Sequence, residues 1–281
     1  MTNDQNTRRR PYIGVTGFTH HDEVTEAVTL WRQAWGGGEP THDLMIGVLA
    51  STKTLRGSSS KCPRRYPQIG DIPHIFTSAG GVLNLVHYAG DRPPESEELF
   101  RLHEAVGRQC HGFQFDWTWP ERIDLVNLFG HVGRRRAVLQ IGPRDVAALA
   151  EHDRASIERL GRRLRPYVDG AFPGNNGETL ATDLLLDIGR GIVIDEARAE
   201  AIVRRVAEAQ LGDDMCLGVA GGLCAETLTP GIGVLLRAGC SIDAEGRLRD
   251  DADGGGELDL VKVGDYLRAA VALLTPQSDT Q

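Results

Sequence analysis

The run Cys216-Leu-Gly-Val-Ala-Gly-Gly-Leu223 reads as a short buried strand that ends in a glycine pair. Glycines at a strand end tolerate positive φ and let backbone N–H groups approach a ligand closely. An anion such as a phosphate fits that description. The next segment, Ala225–Arg237, has helical spacing, and a helix N-terminus there would add to an anion site. Taken alone, Gly-Gly after a strand is an ordinary turn. Its meaning depends on how many strands precede it.

Six precede it: Tyr12–Phe18, Leu44–Ala50, Gly81–Tyr88, Gly112–Trp117, Ala137–Ile141 and Asp183–Ile188. Cys240–Ala244 follows as an eighth. Helical spacing separates them. Glu23–Trp35 places Val24, Ala27, Val28, Trp31 and Trp35 on one face, and Glu95–Arg108, Glu121–Phe129, Arg144–Leu164, Glu196–Gln210 and Leu258–Leu274 follow in turn. Arg144–Leu164 is expected to end before Pro166. Ser51–Pro73 reads as a long loop, and Asp169–Glu178 as a Gly/Pro/Asn insertion. Eight strands alternating with helices, with no internal linker, indicate parallel βαβ units. In a chain of 281 residues they indicate an α/β fold with one (β/α)8 TIM barrel over residues 11–275. Residues 1–10 are expected to be a disordered tail, and 276–281 a second tail. A doubly wound sheet would need a glycine fingerprint after its first strand, and Gly14 and Gly17 lack the spacing. In a barrel the site lies at the C-terminal ends of the strands, and the loops after strands seven and eight often hold a phosphate. Gly221 and Gly222 fall at that place.

The net charge of -8 argues against a nucleic-acid or anionic-membrane partner, which would need a positive field. Arg8–Arg10 and Arg134–Arg136 are local exceptions. The five cysteines (Cys62, Cys110, Cys216, Cys224, Cys240) are odd in number and form no CxxC pair, which fits free thiols in a reducing cytosol. No apolar run approaches the ~18 residues of a membrane span, so a cytoplasmic location is expected.

Several patches resemble phosphoribosylanthranilate isomerase, a (β/α)8 enzyme of tryptophan biosynthesis. Gly14-Val-Thr-Gly-Phe-Thr19 with Asp22-Glu23-Val24 is similar to that family's opening Lys-Ile-Cys-Gly-Leu-Thr strand and loop. Cys62-Pro-Arg-Arg-Tyr66 is similar to its Ser-Pro-Arg-Tyr loop. Gln114 stands at the Gln of Gln-Leu-His-Gly. Leu184-Leu-Leu-Asp187, with Gly189, Gly191 and Asp195, is similar to the Leu-Leu-Asp strand and its loop. Gly218-Val-Ala-Gly-Gly-Leu223 is similar to Leu-Ala-Gly-Gly-Leu, and Ile242-Asp243-Ala-Glu-Gly246 to Val-Asp-x-Ser-Ser-Gly. The resemblance spans residues 12–272 in patches. It implies an Amadori-type aldose–ketose rearrangement with Asp187 as general acid. The family's basic cysteine is here Thr16, whose hydroxyl pKa is far too high for that role unaided. The family's phosphate-loop serines are Ala244 and Glu245, and a carboxylate there would repel a phosphate.

The candidate catalytic residues are therefore Asp187, Asp116, His87 and Thr16. Asp116 near the end of strand four would share the barrel mouth with Asp187, and two convergent carboxylates divide acid and base work. His87 is a base or a satisfied core histidine. His20 and His21 are exposed-loop alternatives for the base. The candidate substrate-binding residues are Lys53, Arg56, Arg64 and Arg65 for a carboxylate, Gly221, Gly222 and Gly246 for a phosphate, and Gln114 and Asp243 as positions that the resemblance implies. Trp117 and Trp119 either stack on a ring or cover the rim. Cys224 is a thiolate candidate or a buried structural thiol. His20, His87, Asp116 and Asp187 have no ligand spacing, so no metal is expected, nor any cofactor. The expected partner is a small phosphorylated substrate, and a homodimer is allowed. The leading expectation is an isomerase of a phosphorylated sugar derivative. The alternatives are a diverged barrel lyase or hydrolase on a phosphorylated or carboxylated small molecule, or a non-catalytic ligand-binding barrel.

Overall fold

The computed structural model describes residues 9–57, 64–90, 92–116, 118–120, 136–168, 181–189, 192–208, 215–251 and 255–275. Its strands are β1 (Tyr12–Thr16), β2 (Asp43–Ala50), β3 (Leu83–Tyr88), β4 (Gly112–Phe115), β5 (Arg136–Ile141), β6 (Asp183–Asp187), β7 (Cys216–Ala220) and β8 (Ser241–Ala244). Each strand pairs in parallel with the next, and β8 returns to β1 through Ile13↔Ile242, Gly14↔Asp243 and Val15↔Ala244. The sheet is a closed eight-stranded parallel barrel, which rules out the open doubly wound alternative. Both faces of such strands are buried, so they read as nearly continuous apolar runs. Alternate residues nonetheless take different roles. Ile13, Val15, Ile46, Val48, Phe113 and Leu139 pack outward under the helices. Tyr12, Met45, Leu83, Leu85, Val138, Leu185 and Ala220 fill the barrel interior.

The described helices are α1 (His21–Ala34), α2 (Thr52–Leu55), α3 (Ile72–Ser78), α4 (Ser96–Val106), α5 (Pro143–Glu151), α6 (Arg154–Val168), α7 (Glu196–Glu208), α8 (Pro230–Arg237) and α9 (Leu260–Leu274). Several differ from the sequence expectation, each for a local reason. The long Ser51–Pro73 loop contains α2 and the start of α3. In α3 Pro73 supplies a preset first turn, and Ile72, Ile75 and Phe76 are buried. The single helix expected over 144–164 is two, because His152 adopts the left-handed conformation (φ 60°) and ends α5. The second of these runs through Pro166 rather than stopping before it. Burial of Leu160, Leu164 and Tyr167, with the Tyr167 hydroxyl donating to the Pro120 carbonyl at 2.6 Å, offsets the hydrogen bond lost at the proline. The expected helix 225–237 is a 3₁₀ turn, Ala225–Thr227, followed by α8, which Pro230 initiates. β7 ends at Ala220, so Gly221 and Gly222 are loop residues with φ of 98° and 66°. Trp117, the expected helix 121–129, the insertion 169–178, Cys62, Gly191, both tails but for Arg9 and Arg10, and Arg134 and Arg135 lie outside the described residues.

The N-terminal end of the barrel is closed by a buried ion pair. Arg136 on β5 donates to Asp183 on β6 at 2.6 Å, and its guanidinium sits 5.8 Å from the Tyr12 ring centre. Burial pushes the Asp183 carboxyl up from its ordinary value, and Arg136 only partly reverses this. No described helix is long and apolar enough to cross a membrane.

Candidate active site

The inward-facing alternation that fills the barrel with apolar side chains changes character at the C-terminal ends of the strands. There it presents Thr16 (β1), His87 (β3), Gln114 (β4), Gln140 (β5), Asp187 (β6) and Asp243 (β8). All but Asp187 are buried. A buried polar side chain is costly unless paired, and these pair with one another. The Thr16 hydroxyl donates to Asp243 Oδ1 at 2.9 Å. The Gln114 amide donates to Asp243 Oδ2 and to Gln140 Oε1, each at 3.2 Å. The Gln140 amide donates to Asp187 Oδ2 at 3.2 Å, and the Gly189 N–H donates to Asp187 Oδ1 at 2.8 Å. His87 Nε2 bonds to Asp116 Oδ1, just past the end of β4, and the Gln114 amide nitrogen lies 3.3 Å from each His87 ring nitrogen. One network thus runs across the mouth from β1 to β6, and Asp116 and Asp187 stand at its two ends.

The polarity of that network has an electrostatic cause. Both amides turn their N–H groups toward carboxylates. The Gln114 carbonyl oxygen is left buried with no hydrogen-bond partner. Burial opposes a charge on His87, but attraction and a hydrogen bond from Asp116, with Asp243 and Glu245 behind it, outweigh burial and raise its pKa to about 9. Burial pushes Asp243 up to about 6. His87, Thr16 and Gln114 pull it back only partly, and Glu245 adds to the rise. At neutral pH the mouth therefore holds a protonated imidazole and a buried carboxyl close to its titration range, the pairing that acid–base chemistry uses.

The structure brings Thr16, His87, Asp116, Gln114, Asp187 and Asp243 together. Gln140 completes the set, and sequence reasoning missed it. Its signal was one amide in the apolar run Ala137-Val-Leu-Gln-Ile141, two residues beyond the inward-facing Val138. The basic residues are placed differently. Arg65 gives both Nε (2.9 Å) and Nη2 to Glu245 Oε1, so its fork is already occupied. Glu245 also lies 3.8 Å from the buried Arg249 guanidinium, which donates to the Gly17 carbonyl at 3.2 Å and the Gly256 carbonyl at 2.7 Å. Sequence reasoning also missed Arg249. Arg64 is at the exposed rim, 4.0 Å from Glu257. Lys53 lies in α2, and Arg56 caps its C-terminal end.

Gly221 has a reason of its own to be glycine. A Cβ there would fall 2.3 Å from Asp187 Oδ1 and 2.7 Å from the Gly189 nitrogen, so the β7 loop packs directly on the Asp187 carboxylate. Gly246 begins a 3₁₀ turn and lines a cleft of about 370 Å³ with Cys224, Arg247 and Lys262. Cys224 is buried. Trp119 is buried against Tyr167, so it covers the rim. Among the described residues, three metal-ligating side chains converge only at His20, His21 and Asp22, at the exposed cap and first turn of α1. Their hydrogen bonds are local and do not join the mouth network.

Fold and site together define a (β/α)8 barrel with a buried acid–base network at the C-terminal face of its strands. No family model and no curated protein matches the chain. Similar solved structures include tryptophan synthase from M. tuberculosis in its aminoacrylate-bound form, at 14% identity, covering 96% of each chain with a TM-score of 0.46. The tryptophan synthase alpha chain from Legionella pneumophila is 13% identical over 96% of this chain and 93% of that one, with a TM-score of 0.48. Orotidine 5'-monophosphate decarboxylase from Methanocaldococcus jannaschii is 9% identical over 92% and 98%, with a TM-score of 0.45. Likeness at this level bears on nothing beyond architecture, which the closed strand ladder fixes by itself.

Proposed function

We propose that the protein is an acid–base isomerase of a phosphorylated sugar derivative, a diverged relative of phosphoribosylanthranilate isomerase. Asp187 protonates the ring oxygen of the aminoaldose and opens it. Thr16 then takes the C2 proton as its own hydroxyl proton passes to Asp243, so the Thr16–Asp243 pair replaces the family's cysteine. The electron pair released at C2 passes into the C1 iminium left by ring opening, which gives a neutral enolamine, and His87, held protonated by Asp116, is a hydrogen-bond donor to the substrate oxygen at C2. The backbone at Gly221–Gly222 and Gly246 holds the phosphate. The observation that carries this reading is the continuous network from Asp187 through Gln140 and Gln114 to Asp243, which ties a candidate acid to a candidate base across the mouth.

The test is an assay of purified protein with phosphoribosylanthranilate, following loss of anthranilate fluorescence, with Asp187→Asn and Asp243→Asn alongside. Turnover abolished by both substitutions supports the assignment. No turnover at high enzyme concentration sinks it. One observation favours a second reading, a lyase or hydrolase on a phosphorylated or carboxylated small molecule. Arg65, the side chain best suited to grip the carboxylate of an anthranilate ring, is already held by Glu245.

A further inference from the structure

Besides the mouth network, the described residues contain a second convergence of chemistry-bearing side chains. It lies on the same C-terminal face, at the cap and first turn of α1. His20 Nδ1 and His21 Nδ1 are 3.2 Å apart. Asp22 Oδ2 lies 3.3 Å from His20 Nδ1, and Asp22 Oδ1 lies 3.7 Å from His21 Nδ1. We propose that His20, His21 and Asp22 form a binding site for a divalent transition-metal cation of the zinc class, through the two Nδ1 atoms and one carboxylate oxygen.

The separations support this. A tetrahedral ion with bonds of ~2.0–2.1 Å sets its donors ~3.3 Å apart, which is close to the Nδ1–Nδ1 separation and to that between His20 Nδ1 and Asp22 Oδ2, whereas the 3.7 Å contact of His21 is with the other carboxylate oxygen. Two imidazole nitrogens facing each other beside a carboxylate form a triangle with room for one shared cation. His20 Nδ1 spends its lone pair on the Asp22 backbone N–H at 3.4 Å, as the cap of α1, so a cation bound there takes the place of that long hydrogen bond. The loop is preset. Glu23 Oε2 accepts the Thr19 and His20 N–H groups at 2.8 and 2.9 Å, which fixes the backbone on which all three ligands stand. The N-terminus of α1 opposes a cation, but Asp22 and Glu23 place two carboxylates in its first turn against that dipole. Imidazole nitrogens with one carboxylate select zinc, copper or nickel over calcium or magnesium, which prefer oxygen donors. The trio is exposed, so an ion has an entry path and keeps water in its remaining positions.

The test is calorimetric titration of the untagged full-length protein with zinc chloride and, separately, cobalt chloride, which reports its ligands through its visible spectrum. The variants are His21→Gln, Asp22→Asn and the pair combined. None of these residues belongs to the mouth network. His20 is left in place because its side chain caps α1. One ion should bind per chain in the micromolar range, the cobalt spectrum should show nitrogen and oxygen ligands without a thiolate charge-transfer band, and each substitution should weaken binding at least ~10-fold. Unchanged helicity by circular dichroism shows that a variant is folded. Equal affinity in wild type and the combined variant, a thiolate spectrum, or no binding at millimolar metal would each overturn the proposal.

Discussion

Replacing Asp116 with asparagine keeps the shape of the His87 partner and removes its charge. His87 is only 7% exposed, yet it holds its proton up to about 9 against an ordinary 6.5, because Asp116 outweighs burial. The gap, the net of burial against Asp116, Asp243 and Glu245, corresponds to about 3 kcal/mol. The Asp116 side chain is 26% exposed, so partial screening brings the expected effect to about 2–3 kcal/mol. The sign follows from linkage. A histidine whose folded pKa lies above its unfolded value contributes stability that is fully present below about 6.5 and is lost as pH rises through about 9. Asp116→Asn should therefore cost about 2–3 kcal/mol in urea denaturation at about pH 6 and almost nothing at about pH 10. Proton NMR of the imidazole should show the wild-type ring titrating near 9. In the variant, burial is left as the main influence, and the ring should titrate below the ordinary value. A wild-type His87 that titrates near 6.5, or a cost that is the same at both pH values, would refute the reasoning.

At the opposite end of the barrel, Asp183→Ala should cost about 3–5 kcal/mol in denaturant unfolding, because it leaves the Arg136 guanidinium buried and unpaired. Arg136→Met with Asp183→Leu should recover most of that loss, and a double variant as weak as the single one would mean that the pair is not the cause. Gly221→Ala should lower stability by about 1–3 kcal/mol, since its Cβ would fall 2.3 Å from Asp187 Oδ1 at a φ of 98°. An unchanged melting temperature would show that this loop does not rest on Asp187. Gln140→Leu removes the amide that holds Asp187 Oδ2 and should lower kcat more than it raises KM in any assay in which Asp187 proves essential. An effect confined to KM would reduce Gln140 to a substrate contact.

The barrel was legible in the sequence because its strands are short, apolar and evenly spaced between helical stretches, and that pattern needs no long-range information. Local departures escaped where two local signals compete. Pro166 marks a helix end by its chemistry, yet buried Leu164 and Tyr167 carry α6 past it. In the site, His87 and Asp187 were visible as ionisable residues near the C-terminal ends of apolar strands, whereas Thr16, Gln114 and Asp243 were singled out only through the family resemblance. Gln140 stands at a like position but carries no charge and no motif. Its importance lies in partners 26 and 47 residues away along the chain. Arg249 was less visible still. An arginine in an acidic loop reads as a solvated charge, whereas here it is fully buried and holds the β1 and β8 loops together through backbone carbonyls.

Glu245 shows how a residue's charge can mislead when its neighbours are unknown. In the sequence it stands where a related phosphate loop would have serine, and a carboxylate there argues against an anion. The structure surrounds it with two guanidiniums, Arg65 hydrogen-bonded to Oε1 and Arg249 at 3.8 Å. Glu23 and Asp251 act on the Arg249 guanidinium as well, so charges of both signs balance across the cluster. The repulsion expected from Glu245 is therefore already neutralised inside the protein. An incoming anionic group would have to displace a hydrogen-bonded carboxylate from Arg65 and would leave Glu245 short of a partner, which is a cost on gripping a substrate anion there. The same cluster acts on the catalytic candidates, because Glu245 helps hold His87 protonated and helps raise Asp243. The loop that would grip the substrate's anion and the residues that would move its protons are thus one electrostatic unit, linked through Glu245.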